Sequence, residues 1–364
     1  MKRRTILILL AVPVVAFVAC EIIFRITEKP GGFPPLSISL TNDLPGLSRE
    51  VKWSTDGYGM RRIGKEEGNT TVLCLGGEST MPLLQSDAAS WWGRMQAKLA
   101  ADGTEASIAA TGINLGTISD CLRIIHQHAD TIKPKVVVVA LGPSEVTGRV
   151  VDFRFNPVAM RQTLPPEAKG FKSKILAISA TARHVRLSRM ESRTKGERDA
   201  LMGVNAIRDR LVREHQQYLK APEIPELPWI DDPADEVSEG LRILLDLSKQ
   251  KGFKPVVVWL PWPYRPGMTP EAQEFFRFLT PVKTESGQVV AVRLAPGWVD
   301  GRMRAFRTRA QAVCEGLGIA FVDAASRIGD APGIYFGDFQ LTDAGADQVG
   351  AAVAPVVKAA LTAP

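Results

Sequence analysis

Thr71–Pro82 reads TVLCLGGESTMP, and this stretch decides the fold. Thr71 to Leu75 is a short, almost unbroken apolar run, the pattern of a parallel strand covered on both faces. Gly76 and Gly77 end the run, and Glu78, Ser79 and Thr80 follow at the carboxyl end of the strand. In open α/β sheets, ligands bind at that edge. Ser79 is therefore a candidate nucleophile. Taken alone, the stretch favours the plainer role of a helix N-cap, and the rest of the chain shifts the reading.

Working outward, the same signal recurs at Glu105–Ala110, at Lys135–Leu141 (KVVVVAL), at Lys254–Leu260 (KPVVVWL) and at Ile319–Val322. Between these runs the apolar period changes to that of helices. Ala88 to Ala101 carries Trp91, Trp92, Met95 and Leu99 on one face, and Asp120 to Thr131 carries Leu122, Ile125 and Ala129. Glu236–Lys251, Arg302–Leu317 and Asp343–Leu361 complete the helical set. Strands alternating with helices predict an α/β fold: three layers around a five-stranded parallel sheet built by right-handed crossovers. Asp56-Gly57, within Val51–Arg62, predicts a small hairpin ahead of that sheet. After Pro261-Trp262-Pro263 a long excursion runs to about Asp300.

The remaining segments set the context. Lys2, Arg3 and Arg4 precede an apolar run within residues 1–26. Twenty residues of helix at about 1.5 Å each span roughly 30 Å, the thickness of a bilayer core. The small-residue cleavage pattern is poor, with Phe17 and Val18 before Ala19. An uncleaved signal anchor is preferred over a cleaved peptide or a lipidated Cys20. The basic flank places the N-terminus in the cytoplasm and the rest outside a bacterial-type inner membrane, as a single-pass protein. Residues 27–69 read as a lead-in linker, 70–149 as the first part of the sheet domain and 236–364 as its second part. Between these parts, 150–235 is a basic helical insertion, with helices over Lys174–Met190 and Arg198–Leu219. Its plain reading is a solvated face; its alternative is a contact with an anionic surface. The net charge of +6, the scattered Cys20, Cys74, Cys121 and Cys314, and the lack of a Walker loop or nucleic-acid motif predict no metal, no cofactor and no nucleic-acid partner.

A strand ending in Gly77-Glu78-Ser79, a glycine loop in Thr111–Ser119, Gly142-Pro143-Ser144-Glu145 after the third strand and a terminal Asp338…Leu341-Thr342 together resemble the SGNH (GDSL-type) hydrolases. The resemblance covers residues 51–361 and extends to the membrane-anchored members. It implies a flavodoxin-like fold and cleavage or transfer of an O-acyl group on a cell-envelope molecule such as an acylated glycan. Carried over, Ser79 matches the nucleophile and Asp338 the orienting carboxylate. Ser79, Gly116 and Ser144 match the oxyanion donors, with Gly112 the second choice for the glycine. A register shifted by one residue puts Glu78 in the nucleophile's place.

The match departs at two chemically essential positions. Ser144 stands where the family offers an Asn. Gln340 stands where it offers the catalytic His, unless that His is deleted and Asp338 alone remains. A Gln amide cannot accept a serine proton, and losing one triad member costs about 10⁴ to 10⁶ in rate. His126 and His128 lie on a helix, about 10 Å or more from its active-site end. His184 and His215 reach the site only if the basic helices fold over it. Two classes of function follow: a serine ester hydrolase, or a catalytically degenerate relative that binds an acylated glycan or a partner protein without turnover.

Overall fold

The computed structural model describes residues 37–42, 44–64, 71–112, 116–147, 206–225, 233–269, 273, 276–283, 288–328 and 333–363. The expected anchor (1–26) and the first basic helix (174–190) lie outside them. Among the described residues no helix is long and apolar enough to cross a membrane.

In chain order the elements are β1 (Ser37–Thr41), β2 (Glu50–Ser54), β3 (Arg61–Ile63), β4 (Val72–Gly76), α1 (Trp91–Ala101), β5 (Ile108–Gly112), α2 (Ile118–Ile132), β6 (Val136–Leu141) and the single turn α3 (Pro143–Thr147). They continue with α4 (Ala206–Lys220), β7 (Glu223–Ile224), α5 (Pro233–Lys251), β8 (Lys254–Trp259), β9 (Thr280–Lys283), β10 (Val289–Leu294), α6 (Pro296–Leu317), β11 (Ala320–Asp323), α7 (Ala324–Ile328) and α8 (Asp343–Thr362).

The main sheet has the order β11-β8-β6-β4-β5-β3. The first five strands are parallel to their neighbours. Counted along the chain, these five are ordered 2-1-3-4-5, the doubly wound arrangement in which the direction of winding reverses beside β4. The five expected strands are therefore present, and β3 adds a sixth, antiparallel to β5 at the edge. The period of two along β4 divides the core. Val72 and Cys74 face the helices α1 and α8, while Leu73 and Leu75 face α2, α5 and α6. Trp91, Trp92, Met95 and Leu99 are all buried, as their helical spacing requires. Cys74, Cys121 and Cys314 are buried free thiols, and burial pushes that of Cys314 up to about 12.

Two expectations are revised. The Asp56 turn forms, with Asp56 Oδ1 accepting the main-chain N–H groups of Tyr58 (2.8 Å) and Met60 (3.0 Å). Its flanks pair elsewhere, however: β2 with β1, and β3 with the open edge of β5, leaving one Thr55–Arg61 bridge between them. An unpaired sheet edge satisfies more backbone groups than a two-stranded ribbon. The helix expected from Arg302 starts earlier, at Pro296, where proline at the first position loses no intrahelical bond.

Arg61 ties the early strands to the sheet domain. Its side chain is fully buried between the rings of Trp53 and Trp92, 5.0 and 5.6 Å from their centroids. It pairs with Asp87 at 2.5 Å and donates to the carbonyls of Pro82 and Gln85, each at 2.7 Å. The loop after β4 is thereby fixed at several points.

Candidate active site

The turn after β4 lies where the sheet reverses its winding. A Cβ added to Gly77 would stand 2.5 Å from Ser144 Oγ and 3.4 Å from the Gly116 carbonyl oxygen. A side chain there would have to displace the Ser144 hydroxyl, so glycine suits the close approach of these three segments. Two of the residues expected around an oxyanion, Gly116 and Ser144, thus meet at Gly77. Gly112, the second choice for the oxyanion glycine, packs against the backbone of Gly76 and Gly77. Glu145, next to Ser144, is buried and accepts the N–H of Ile118 at 2.7 Å, which caps α2.

The two acidic and hydroxyl side chains of the turn diverge. Ser79 is half-buried, and its Oγ donates to the main-chain carbonyl of Phe339. Among the described residues no imidazole is bonded to it. Glu78 instead meets the terminal motif: its Oε1 accepts a hydrogen bond from Gln340 Nε2. Gln340 Oε1 in turn accepts from Arg277 Nη2 at 3.0 Å, which fixes the orientation of the amide. Asp338 is buried beneath them. Its Oδ1 accepts from the Tyr264 hydroxyl at 3.0 Å, and its Oδ2 from the N–H groups of Arg277 (2.7 Å) and Phe278 (3.2 Å). The segments bearing Ser79, Gly116, Ser144 and Asp338 do come together at the carboxyl edge of the sheet. Within that edge, the side chain opposite Gln340 is Glu78.

Burial governs the electrostatics. It pushes the Glu78 carboxyl above its ordinary range, with the negative charges of Asp338 and Glu214 adding to the rise. The Gln340 hydrogen bond and the Arg277 charge oppose it. Burial also raises Asp338, against the main-chain N–H and charge of Arg277 and the Tyr264 hydroxyl. Tyr264 itself is held well above its usual value by burial and by Asp338.

A cavity of about 320 Å³ opens over this network. Glu78, Asp338, Gln340, Arg277, Arg210 and Glu214 supply its polar lining. Leu83, Leu84, Leu211, Phe278, Leu279, Phe336 and Phe339 supply its apolar lining. Phe278 and Phe339 meet edge to face at 5.2 Å. The helix α4, the described part of the basic insertion, does fold over the cleft, through Arg210, Leu211 and Glu214. Arg210 and Glu214 pair at 2.6 Å one turn apart. The His215 ring on that helix is directed to the Phe276 carbonyl, 2.9 Å away, and stacks on Tyr218. His128 packs against Tyr58 on the side of α2. Among the described residues no group of His, Cys, Asp and Glu is arranged to hold a metal ion.

Tyr264, Arg277, Arg210 and Glu214 are site residues that the sequence did not single out. Tyr264 and Arg277 lie in the long excursion after β8, in no periodic pattern and some 60 or more positions from Asp338. Arg210 and Glu214 read as an ordinary i,i+4 pair on a solvated helix.

No protein-family model and no curated protein matches the chain. Solved structures do match. They include a carbohydrate acetylesterase family member from Sinorhizobium meliloti, at 14% identity and TM-score 0.41 over 81% of this chain and 100% of that one. The aryl esterase of M. smegmatis aligns at 14% identity and TM-score 0.40, over 80% of this chain and 99% of that one. A protein given as lipolytic and of the G-D-S-L family, from Desulfitobacterium hafniense, aligns at 12% identity and TM-score 0.38, over 79% and 99%. The doubly wound fold stands on the strand order itself.

Proposed function

We propose that this is an SGNH-like protein of the cell envelope, anchored by residues 1–26, whose cleft binds an acylated glycan without Ser–His turnover. The observation that carries this reading is the Glu78–Gln340 hydrogen bond. In a serine hydrolase that contact belongs to the nucleophile and its base. A carboxylate and an amide there can hold a ligand, but they cannot pass a serine proton. The mixed lining supports an amphipathic ligand: apolar walls for acyl groups and sugar faces, polar atoms for hydroxyls. About 320 Å³ accommodates a ligand of roughly one or two sugar units.

A second reading, ester hydrolysis at Ser79, is favoured by one observation, the meeting of Gly116 and Ser144 at Gly77. One NMR sample separates the two. Partially O-acetylated xylo-oligosaccharides are incubated with the full chain, in detergent. Saturation transfer reports binding, and the free-acetate signal reports turnover. Binding with no acetate above the buffer rate supports the binding protein. Acetate release that disappears in Ser79→Ala supports the hydrolase.

A further inference from the structure

Glu78 and Ser79 are neighbours in a tight turn, and the turn aims them at different partners. Ser79 is engaged by a main-chain carbonyl, whereas Glu78 lines the cavity. We infer that Glu78 is the specificity-determining residue of the cleft, and that it selects a ligand group that donates a hydrogen bond: a free hydroxyl or an ammonium on a sugar. This rests on the binding reading above and deepens it.

The two carboxylates of the site differ in how fully the protein satisfies them. Asp338 receives three donors from the protein, distributed over both of its oxygens. Among the described residues Glu78 receives one, from Gln340 Nε2, on Oε1. Arg277 holds the Gln340 carbonyl, so the amide cannot turn its oxygen toward Glu78. The second Glu78 oxygen has no hydrogen-bond donor among the described residues where this half-buried side chain lines the cavity, so it is open to a donor from a ligand. An ester carbonyl is an acceptor only and would face that oxygen unfavourably. A hydroxyl or an ammonium completes it. The charged groups facing Glu78 are Arg277, from the loop after β8, Asp338, from the terminal motif, and Glu214, on α4. Glu214 pairs with Arg210 at 2.6 Å and with Arg277 at 3.7 Å, so three carboxylates share two arginines and one positive charge from a ligand balances them. Phe278, Phe336 and Phe339 supply apolar lining beside it.

The test uses the full chain in detergent and titration calorimetry. The probes are xylo-oligosaccharides for hydroxyl donors, chitosan oligosaccharides for ammonium donors, and the fully acetylated form of each, in which acetylation removes the hydroxyl donors of the first and the charge of the second. At least one unmodified probe is expected to bind, with its fully acetylated counterpart about tenfold or more weaker. That is the scale of losing a hydrogen bond to a charged group. Glu78→Ala is expected to weaken the preferred probe about tenfold or more. The near-isosteric Glu78→Gln distinguishes the sources, and it keeps the test open should Glu78→Ala misfold. It costs an ammonium ligand about tenfold or more but a hydroxyl ligand less than about threefold, because the amide oxygen still accepts. Equal or better binding of the acetylated probes, indifference to Glu78→Ala, or no binding by any probe each overturns the inference. Acetylated oligosaccharides that bind regardless of Glu78, with no acetate released, overturn it while leaving the binding reading intact.

Discussion

Asp338→Ala removes the acceptor for three donors at once. Tyr264 loses a hydroxyl partner at 3.0 Å, and Arg277 and Phe278 lose main-chain partners at 2.7 and 3.2 Å. Leaving a buried or partly buried donor unsatisfied costs about 1–3 kcal/mol. Two of the three sit at partly buried positions that water can reach, so the lower half of that range applies to them. The expected loss is about 3–7 kcal/mol. Asp338→Asn keeps one acceptor oxygen in place for the two main-chain donors, and Tyr264 can turn its oxygen to accept from the amide. Its expected cost is about 1 kcal/mol. The assay is denaturant unfolding of the full chain in detergent at neutral pH, read by tryptophan fluorescence, because Trp259 and Trp262 lie in the core nearby. The reasoning is refuted if Asp338→Ala costs less than about 1 kcal/mol, or if Asn and Ala cost the same. Either result means that Asp338 does not hold the 276–278 loop, and that loop forms part of the cavity wall.

Other predictions follow from separate contacts. Gly77→Ala drives a methyl group to 2.5 Å from Ser144 Oγ and is expected to cost about 1–3 kcal/mol in an unfolding titration. Ser144→Gly in the same chain restores much of that loss, and a double-mutant cycle reads the coupling. Arg61→Ala strands Asp87 and the carbonyls of Pro82 and Gln85, for an expected loss of about 3–5 kcal/mol by the same assay. Glu78 is raised above its ordinary value of 4.5, so its contribution to stability is fully present below about pH 4.5 and is lost as pH rises through the higher folded value. Glu78→Gln abolishes that titration, and its stability relative to the parent is expected to improve from pH 4.5 toward neutrality. Parallel stability–pH curves contradict this assignment of the titrating group.

The sheet was legible because its strands are continuous apolar runs bounded by glycine or proline. Lys135–Leu141 and Lys254–Leu260 could be little else, and the alternating helices imply parallel crossovers. The turn chemistry at Asp56 was legible too, but the pairing around it was not. Strand partners are decided by the exposed edge of β5, far along the chain. At the site, the glycine-lined turn and the buried Asp338 follow from local pattern. Whether Glu78 or Ser79 enters the cleft does not. Strand alternation ends at Gly76, and the direction of the next side chains is set by contacts of Gly77 with Ser144 and Gly116. The role of Arg277 is equally invisible in the sequence, since its charge touches Gln340 while its N–H touches Asp338 from a loop with no period of its own.

The central claim is that the place of the Ser–His pair is held by Glu78 and Gln340. A serine-directed fluorophosphonate, applied to the full chain and to Ser79→Ala in detergent, tests it most directly. The double variant Glu78→Ser/Gln340→His serves as the control in which a hydroxyl and an imidazole are restored to those two places. The account predicts no Ser79-dependent labelling of the natural chain, with labelling at position 78 in the double variant. Labelling of the natural chain that vanishes in Ser79→Ala would contradict it and assign the cleft to a serine hydrolase.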